Sequence, residues 1–453
     1  MTNSYSDARE PENGSEAAGQ ELVVDVGPIA HGGHFVARHE GRVIFVRHTL
    51  PGEKVRVRLT DAGEKSRFWR ADAVDILEPS ADRVRHFWAE ADSPSSWGQG
   101  RPPVGGAELG HVALERQRAL KSEVLAEQLR RLAGIDRPTA VEPVGADDGG
   151  LGWRTRASFA VTADGRLGMH AHRSDDIIPV KEMPLALGAI NELRLWELDL
   201  AGVTRVEVAA PANGSRPLVL LAPAEGASAE RLNRVLTGLP DDVSAASFDP
   251  ETGSVLQLRG RTWVQESAAG HSYRVTGDGF WQIHRDAPET LVGAVTQFLG
   301  GGGYLTPGAA VADLYAGAGL FTAPLADAVG VTGSVLSVEG APGTSKDARK
   351  NLHGEAHVEI IQGRVEKVLR QRARRFDAVL LDPPRAGAGK AVVSQLVATR
   401  PRAIAYVSCD PASFARDLGY FRQAGWLLKD LRAFDLYPHT HHLETVALLV
   451  PGL

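Results

Sequence analysis

Residues 309–321 read AAVADLYAGAGLF. An apolar run ends at Asp313, two glycines, Gly317 and Gly319, fall in the turn beyond it, and the following residues read as a helix. Glycine at such a strand–turn–helix junction lets the backbone approach a ligand closely, at the edge where open α/β sheets bind cofactors. Outward from this junction, apolar runs alternate with helix-like stretches: GSVLSVEG, HVEIIQG, FDAVLLDPPR, RAIAYVSCD, WLLKDLRAFDLYP and LETVALLV. Strands buried on both faces and separated by helices predict a doubly wound α/β sheet. Only YPHTHH joins the last two runs, too short for a crossover helix, so they should pair antiparallel. A helix from about Ala287 to Leu299 precedes the first strand.

The loop favours one kind of ligand. A dinucleotide fingerprint, G-x-G-x-x-G or A, would need glycine or alanine where Thr322 stands. An acidic residue opening the loop suits the positively charged S-adenosylmethionine better than a pyrophosphate. Glu339 ends the next strand, where a carboxylate can accept hydrogen bonds from ribose hydroxyls. Asp382 ends the fourth, and Pro383 and Pro384 stiffen its exit into the same cleft. Amine methyltransferases often place an aromatic residue after such prolines; Arg385 stands here instead, and a proline-stiffened structural turn is the plain alternative.

Cys409, in AYVSCDPASFARDL, is the single cysteine of the 453 residues. A lone cysteine is usually a small buried hydrophobe. This one comes at the carboxyl end of a strand, where doubly wound sheets place their chemistry, and a helix N-terminus just beyond it would favour the thiolate. Methyl transfer to carbon 5 of a pyrimidine needs such a thiolate. Its addition at carbon 6 makes carbon 5 nucleophilic, and a base must later remove the carbon 5 proton so that the thiol can leave. One cysteine also excludes an intrachain disulfide and fits a reducing, cytoplasmic setting.

Residues 1–20 are polar and read as a disordered tail, with no secretory signal. From Glu21 to about residue 80, period-two alternation broken by HGGH, HEGR, LPGE and DAGE predicts a small barrel of short antiparallel strands. Arg42 to Arg70 carries eight Lys or Arg against three acidic residues, although the formal net charge of the chain is −6. Arg47, Arg56, Arg58, Arg67 and Arg70, with Phe68 and Trp69, could supply cations and a stacking surface for RNA. One helix follows over GHVALERQRALKSEVLAEQLRRLAGI, capped by Gly134, and strand-like runs return from Trp153 to about Val275. No apolar run is long enough to span a membrane.

FWQIH, DLYAGAGLF, SVEG, LLDPPRAG, YVSCDPASFARDL and DLYPHTHHLETVALL occur in the order found in RNA 5-methyluridine methyltransferases. The chain resembles that family over roughly its last 180 residues, and these motifs are specific as a set. The N-terminal segment, with LPGEKVRV, is similar to a TRAM domain, an OB-like RNA-binding barrel; the middle is similar only in GWRTRASF and GRLGMHAH. The resemblance implies a Rossmann-like class I methyltransferase domain at 276–453. Before it come a TRAM barrel at 21–80 and, at 81–275, a linker helix with a mixed α+β RNA-binding domain.

It implies Cys409 as the nucleophile and Glu444 as the base, with Gln282, Tyr315, Gly317, Glu339 and Asp382 around S-adenosylmethionine. Arg56, Arg58, Arg67 and Arg385 are its candidate RNA contacts, and His439, His441 and His442 are other candidate bases. Some TRAM-containing members hold an iron–sulfur cluster. The corresponding stretches here, HFWAEADSPSSWGQGRPPVGGAELGHV and VKEMPL, lack cysteine, so no cluster and no metal is expected. Arg364 stands where many members carry an acidic residue, which puts an adenine contact there in question, and Leu320 replaces a polar residue of some members.

The expected partner is RNA, ribosomal ahead of transfer RNA, with no membrane and no obligatory protein partner. A cytosine-C5 enzyme is the nearest rival, but such enzymes generally carry a second cysteine in the strand-four motif, and LLDPPR has none. A catalytically inactive TRAM protein and a dinucleotide-dependent oxidoreductase are the other readings.

Overall fold

The computed structural model describes residues 17–146, 148–372 and 374–452. Most of the expected tail, residues 1–16, lies outside them. Residues 17–20 are already tied to the barrel: the Gly19 N–H donates to the Leu59 carbonyl at 2.8 Å, and the Leu59 N–H to that of Gln20 at 2.9 Å.

Strands Glu21–Ala30, His34–His39, Arg42–Arg47, Lys54–Asp61 and Phe68–Glu78 close into a barrel. Alternation drives closure, since Val24, Val26, Phe35, Ala37, Ile44, Val46, Val55 and Val57 point inward and are buried. The expectation of purely antiparallel strands fails at one seam. Arg42–Arg47 and Phe68–Glu78 run parallel, with Ile44 opposite Trp69, because the chain crosses the barrel through Lys54–Asp61 between them.

Beyond the barrel, helix Leu114–Gln128 continues into a wider π-turn, Leu129–Ala133, and ends at Gly134 in the left-handed region at φ 64°. The helix contributes Leu120 and Val124 to the barrel's core and Leu125 to the core of the C-terminal sheet. The stretch after it corrects the expected division at residue 276. Val141–Pro143 is an edge strand of the C-terminal sheet, parallel to Ala433–Asp435, so the 81–275 segment is not one unit in space. A separate seven-stranded sheet holds Arg156–Val161, Leu167–His170, Ile177–Pro179, Val203–Ala209, Leu218–Pro223, Ser244–Phe248 and Val255–Arg259. The hairpin Trp263–Ala268 and His271–Thr276 leads from it to the next helix, Ala287–Gly301.

The C-terminal sheet has the order Val358–Gln362, Ser334–Glu339, Ala310–Leu314, Ala378–Leu381, Ala403–Ser408, Glu444–Pro451, Trp426–Asp435 and Val141–Pro143. Its first five strands are parallel. Glu444–Pro451 runs antiparallel to both neighbours, as the short YPHTHH link requires. The strand order reverses between Ala310–Leu314 and Ala378–Leu381. The carboxyl ends there diverge into helices on opposite faces and leave a crevice.

Candidate active site

The crevice is lined with carboxylates. Leu314 lies opposite Val338 and Leu381 in the ladder, which brings the residues just beyond them, Tyr315, Glu339 and Asp382, to one sheet edge. Glu339 accepts the Gly317 N–H at 2.8 Å and the Ala341 N–H at 2.6 Å, so its head is fixed by two backbone donors. Gly317 adopts φ 56°, and a Cβ built there would meet open space, leaving room for a ligand. Tyr315 takes the same left-handed region at φ 67° without being glycine, a strain that tends to be kept at functional loops.

Asp313 is fully buried and accepts the Thr322 hydroxyl at 2.5 Å; its other oxygen has no partner. Burial pushes Asp313 up to about 7, with the Thr322 bond pulling back and the Glu339 charge adding. Loss of water pushes Asp382 up to about 8, helped by Asp313 and Glu339. Carboxylates crowded into one crevice, one with an orphaned oxygen, fit a cationic ligand and repel a pyrophosphate. The residues present therefore fit S-adenosylmethionine. Gln282 is buried and lies outside the cleft lined by Cys409. Its segment is pinned by a 2.8 Å bond from the Thr155 N–H to the Ile283 carbonyl.

Cys409 and Glu444 meet across the antiparallel ladder. Ser408 is registered with Thr445, and the Thr445 hydroxyl donates to the Ser408 carbonyl at 3.1 Å. Continuing that register one residue past the end of the strand brings Cys409 to Glu444, whose charge acts on the thiol. Glu444 is buried and accepts the Tyr437 hydroxyl at 3.3 Å. Burial, then the Asp382 charge, holds the Glu444 carboxyl well above the usual carboxylate range.

The thiol corrects a sequence expectation. Helix Pro411–Gln423 does begin just after Cys409, yet the thiol is pushed up rather than down. Burial, then the Glu444 and Asp382 charges, push it up, and the Arg385 charge opposes them. Arg385 reaches over the cleft, its guanidinium 3.4 Å from the His442 ring. Its loop is held by Asp417, which accepts the Ala388 N–H at 2.7 Å and the Tyr406 hydroxyl at 2.8 Å.

The three loop histidines divide. His439 is locked between the Gln117 side chain and the Gly149 carbonyl, and burial lowers it to about 4. His441 pairs with Glu108, His442 packs against it with the rings tilted by 42°, and both line the cleft. Arg56 lies 3.9 Å from Asp75, Arg58 stacks on Trp97 at 4.9 Å, and Arg67 is exposed; all three sit on the barrel away from the cleft. Arg364 is exposed at the start of helix Val365–Gln371. Tyr437 and Asp417 went unseen in the sequence, where a tyrosine in a loop and an aspartate inside a helix carry no signal.

Among the described residues, no group of three or more His, Cys, Asp or Glu is placed to hold a metal ion, and no helix is long and apolar enough to cross a membrane.

Comparison with known proteins now bears on the geometry. A TRAM domain model matches residues 17–74, and a model described as tRNA (Uracil-5-)-methyltransferase matches 362–451, the span holding Asp382, Cys409 and Glu444. An RNA methyltransferase of Streptomyces avermitilis, described as uncharacterized, is 45% identical over 96% of this chain and 99% of its own length.

The chain belongs to the RNA uracil-5-methyltransferases.

It is an S-adenosylmethionine-dependent enzyme with a TRAM domain. A model for protein-L-isoaspartate O-methyltransferase also matches, over residues 282–397, and stops short of Cys409 and Glu444. The 23S rRNA (uracil(1939)-C(5))-methyltransferase RlmD of Shewanella denitrificans is 29% identical over 97% of this chain and 98% of its own length. Among solved structures, the tRNA (uracil-54, C5)-methyltransferase of Pyrococcus abyssi in complex with S-adenosyl-L-homocysteine superposes with a TM-score of 0.68. The two chains share 22% identity over 94% of this one and 99% of that one, which establishes a common methyltransferase fold.

Proposed function

We propose that the protein converts a uridine of ribosomal RNA to 5-methyluridine through a covalent bond between Cys409 and carbon 6 of the base. The register that faces Cys409 with Glu444 carries this reading. Identity of 29% to a relative named for 23S rRNA, against 22% to an enzyme named for transfer RNA, each over nearly its whole length, supports ribosomal over transfer RNA.

When bound, S-adenosylmethionine supplies the electrophilic methyl group; Gln282, Tyr315, Gly317, Glu339 and Asp382 are the residues proposed to hold it. Cys409, as the thiolate, adds to carbon 6, and the carbon 5–carbon 6 π pair moves to form an enolate. Carbon 5 of that enolate is then the nucleophile for the methyl group. Glu444, as the carboxylate, takes the proton from carbon 5. That C–H pair re-forms the double bond, and the Cys409 thiolate is expelled. Tyr437 orients Glu444. Burial favours the neutral form of both acids, and the Arg385 charge favours the ionised form of each, so Arg385 is proposed as the chain's own activating charge. Arg56, Arg58 and Arg67 are proposed RNA contacts at a distance from the base.

Two substitutions separate the halves of the cycle. Cys409→Ala should abolish methyl transfer and any protein–RNA adduct, including the trapped complex with 5-fluorouridine RNA. Glu444→Gln keeps the nucleophile and lacks the base. It should accumulate an adduct on ordinary RNA with the methyl group already transferred, visible on a denaturing gel. Normal turnover by Glu444→Gln would assign the base elsewhere, and full activity of Cys409→Ala would end the covalent reading. Mapping 5-methyluridine in RNA from cells lacking the protein decides ribosomal against transfer RNA.

A further inference from the structure

One wall of the Cys409 cleft takes no part in the chemistry above. Ile29, from the end of strand Glu21–Ala30, and His31, Gly32 and Gly33, from the barrel's first turn, form it. The cleft between that turn and the sheet edge is open to solvent and has a volume of about 180 Å³.

The turn is seated firmly. Gly33 has φ +76°, and a Cβ there would lie 2.7 Å from the Cβ of His441, so the Gly33 backbone packs against the His441 side chain where only glycine fits. His441 is in turn fixed by Glu108, which accepts its N–H at 3.1 Å and pairs with its ring. From this seat His31 reaches across the cleft, its Nε2 3.2 Å from Oδ2 of Asp410. Asp410 directly follows Cys409 and caps helix Pro411–Gln423, its Oδ1 accepting the Ser413 N–H at 2.7 Å.

We infer that the barrel's 31–33 turn is part of the active site, with His31 a positioning residue that orients and neutralises Asp410 beside the Cys409 thiol. This rests on Cys409 being the nucleophile. The TRAM domain then controls the reaction as well as holding RNA.

The electrostatics agree with the geometry. Asp410 is one of the negative charges that make the thiol harder to ionise, together with Glu444 and Asp382, while Arg385 opposes them. Its hydrogen bond to Asp410 raises His31 above its ordinary value despite burial, and the Asp410 charge, with Glu127 of helix Leu114–Gln128, adds to this. Burial works against an ionised Asp410, yet hydrogen bonds from His31 and the Ser413 N–H bring it to about 2. Lys121, Arg385, His441 and His442 are the remaining titratable or charged groups lining the cleft. Because the His31 pKa is raised, the ion pair is present below it and is lost as pH rises through it. Without His31 the bare Asp410 charge acts on the thiol at every pH.

The test is the rate of covalent trapping by RNA carrying 5-fluorouridine. It is followed over roughly pH 6 to 9, the span in which histidine and activated thiols titrate. Wild type, His31→Ala, Asp410→Asn and the double variant are compared, with Cys409→Ala as the blank. His31→Ala should trap roughly tenfold more slowly at the acid end, the effect of moving a thiol by about one pKa unit. Its profile should be displaced to higher pH, with RNA affinity unchanged. Asp410→Asn keeps a good helix cap but no charge, so its profile should not be displaced, and the double variant should match it. His31→Gln, which keeps a donor without the charge, should show the same displacement as His31→Ala and serves if the alanine variant does not fold. Unchanged trapping in both His31 variants would overturn the inference, as would a His31→Ala defect that persists in full beside Asp410→Asn. A wild-type protein that forms no adduct would instead sink the covalent reading, and this inference with it.

Discussion

Three carboxylates, Asp313, Glu339 and Asp382, share one crevice, and two of them are pushed up to about 7 and about 8. A raised carboxylate is protonated below its folded pKa, so at pH 6 the crevice holds fewer negative charges than at pH 9. A cationic ligand binds the ionised form. Affinity for S-adenosylmethionine should therefore rise with pH through about 7 to 8 and then level off, with protons released on binding. Calorimetry in buffers of different ionisation enthalpy counts those protons. Asp382→Asn should weaken binding and flatten the upper part of the curve. A flat profile in the unsubstituted protein would mean that the carboxylates do not face the sulfonium. The same linkage acts on stability without ligand: these groups stabilise the fold at low pH and lose that contribution as pH rises through their folded values.

Helix Leu114–Gln128 does more than link. Lys121, on its buried face, donates to Asp435 at 2.6 Å and to the Tyr437 carbonyl at 3.0 Å, with both charged side chains 2% exposed. Tyr437 carries the hydroxyl that orients Glu444, so this pair braces the base from behind. Removing one partner leaves a buried charge alone, at a cost of about 3–5 kcal/mol. Lys121→Ala should lower the thermal midpoint sharply, whereas Lys121→Met with Asp435→Leu should recover most of the loss. An equal loss in the double variant would mean that packing, not charge pairing, holds the helix. The sequence placed this helix and its Gly134 cap, because helical periodicity and a terminal glycine are local signals. It gave no sign that a lysine among Arg and Glu residues faces inward, since its partner lies more than three hundred positions away. The same reason separates what was legible at the site. Glu339 ends a strand, Glu444 begins one, and Asp313, Asp382 and Cys409 lie within one residue of a strand end, and strand ends can be read from apolar runs. Tyr437, Asp417 and His31 act through tertiary contacts. The raised Cys409 thiol reflects burial and the approach of Glu444 and Asp382 to it, a proximity that the order of the motifs along the chain does not show.

At the scale of the whole molecule, the barrel is locked to the catalytic unit. Leu120 and Val124 are buried in the barrel's core, and Gly33 sits against His441, so cutting the barrel away would expose the linker helix and open the Cys409 cleft. Point substitutions are the sounder probe of RNA binding. The chain carries a net charge of −6, yet Arg42 to Arg70 carries eight Lys or Arg against three acidic residues, so RNA affinity should still fall with salt. The structure divides the basic residues that looked equivalent in sequence. Arg56 is 3.9 Å from Asp75 and Arg58 is stacked on Trp97, whereas Arg67 is exposed at the mouth of the strand Phe68–Glu78. Arg67→Ala should weaken binding uniformly across RNA sequences and reduce the log–log salt slope by about one, the signature of one lost phosphate contact. Arg56→Ala should change the slope less, because part of its charge is already offset by Asp75. The reverse order, with Arg56→Ala lowering the slope and Arg67→Ala leaving it intact, would move the RNA track onto the strand Lys54–Asp61.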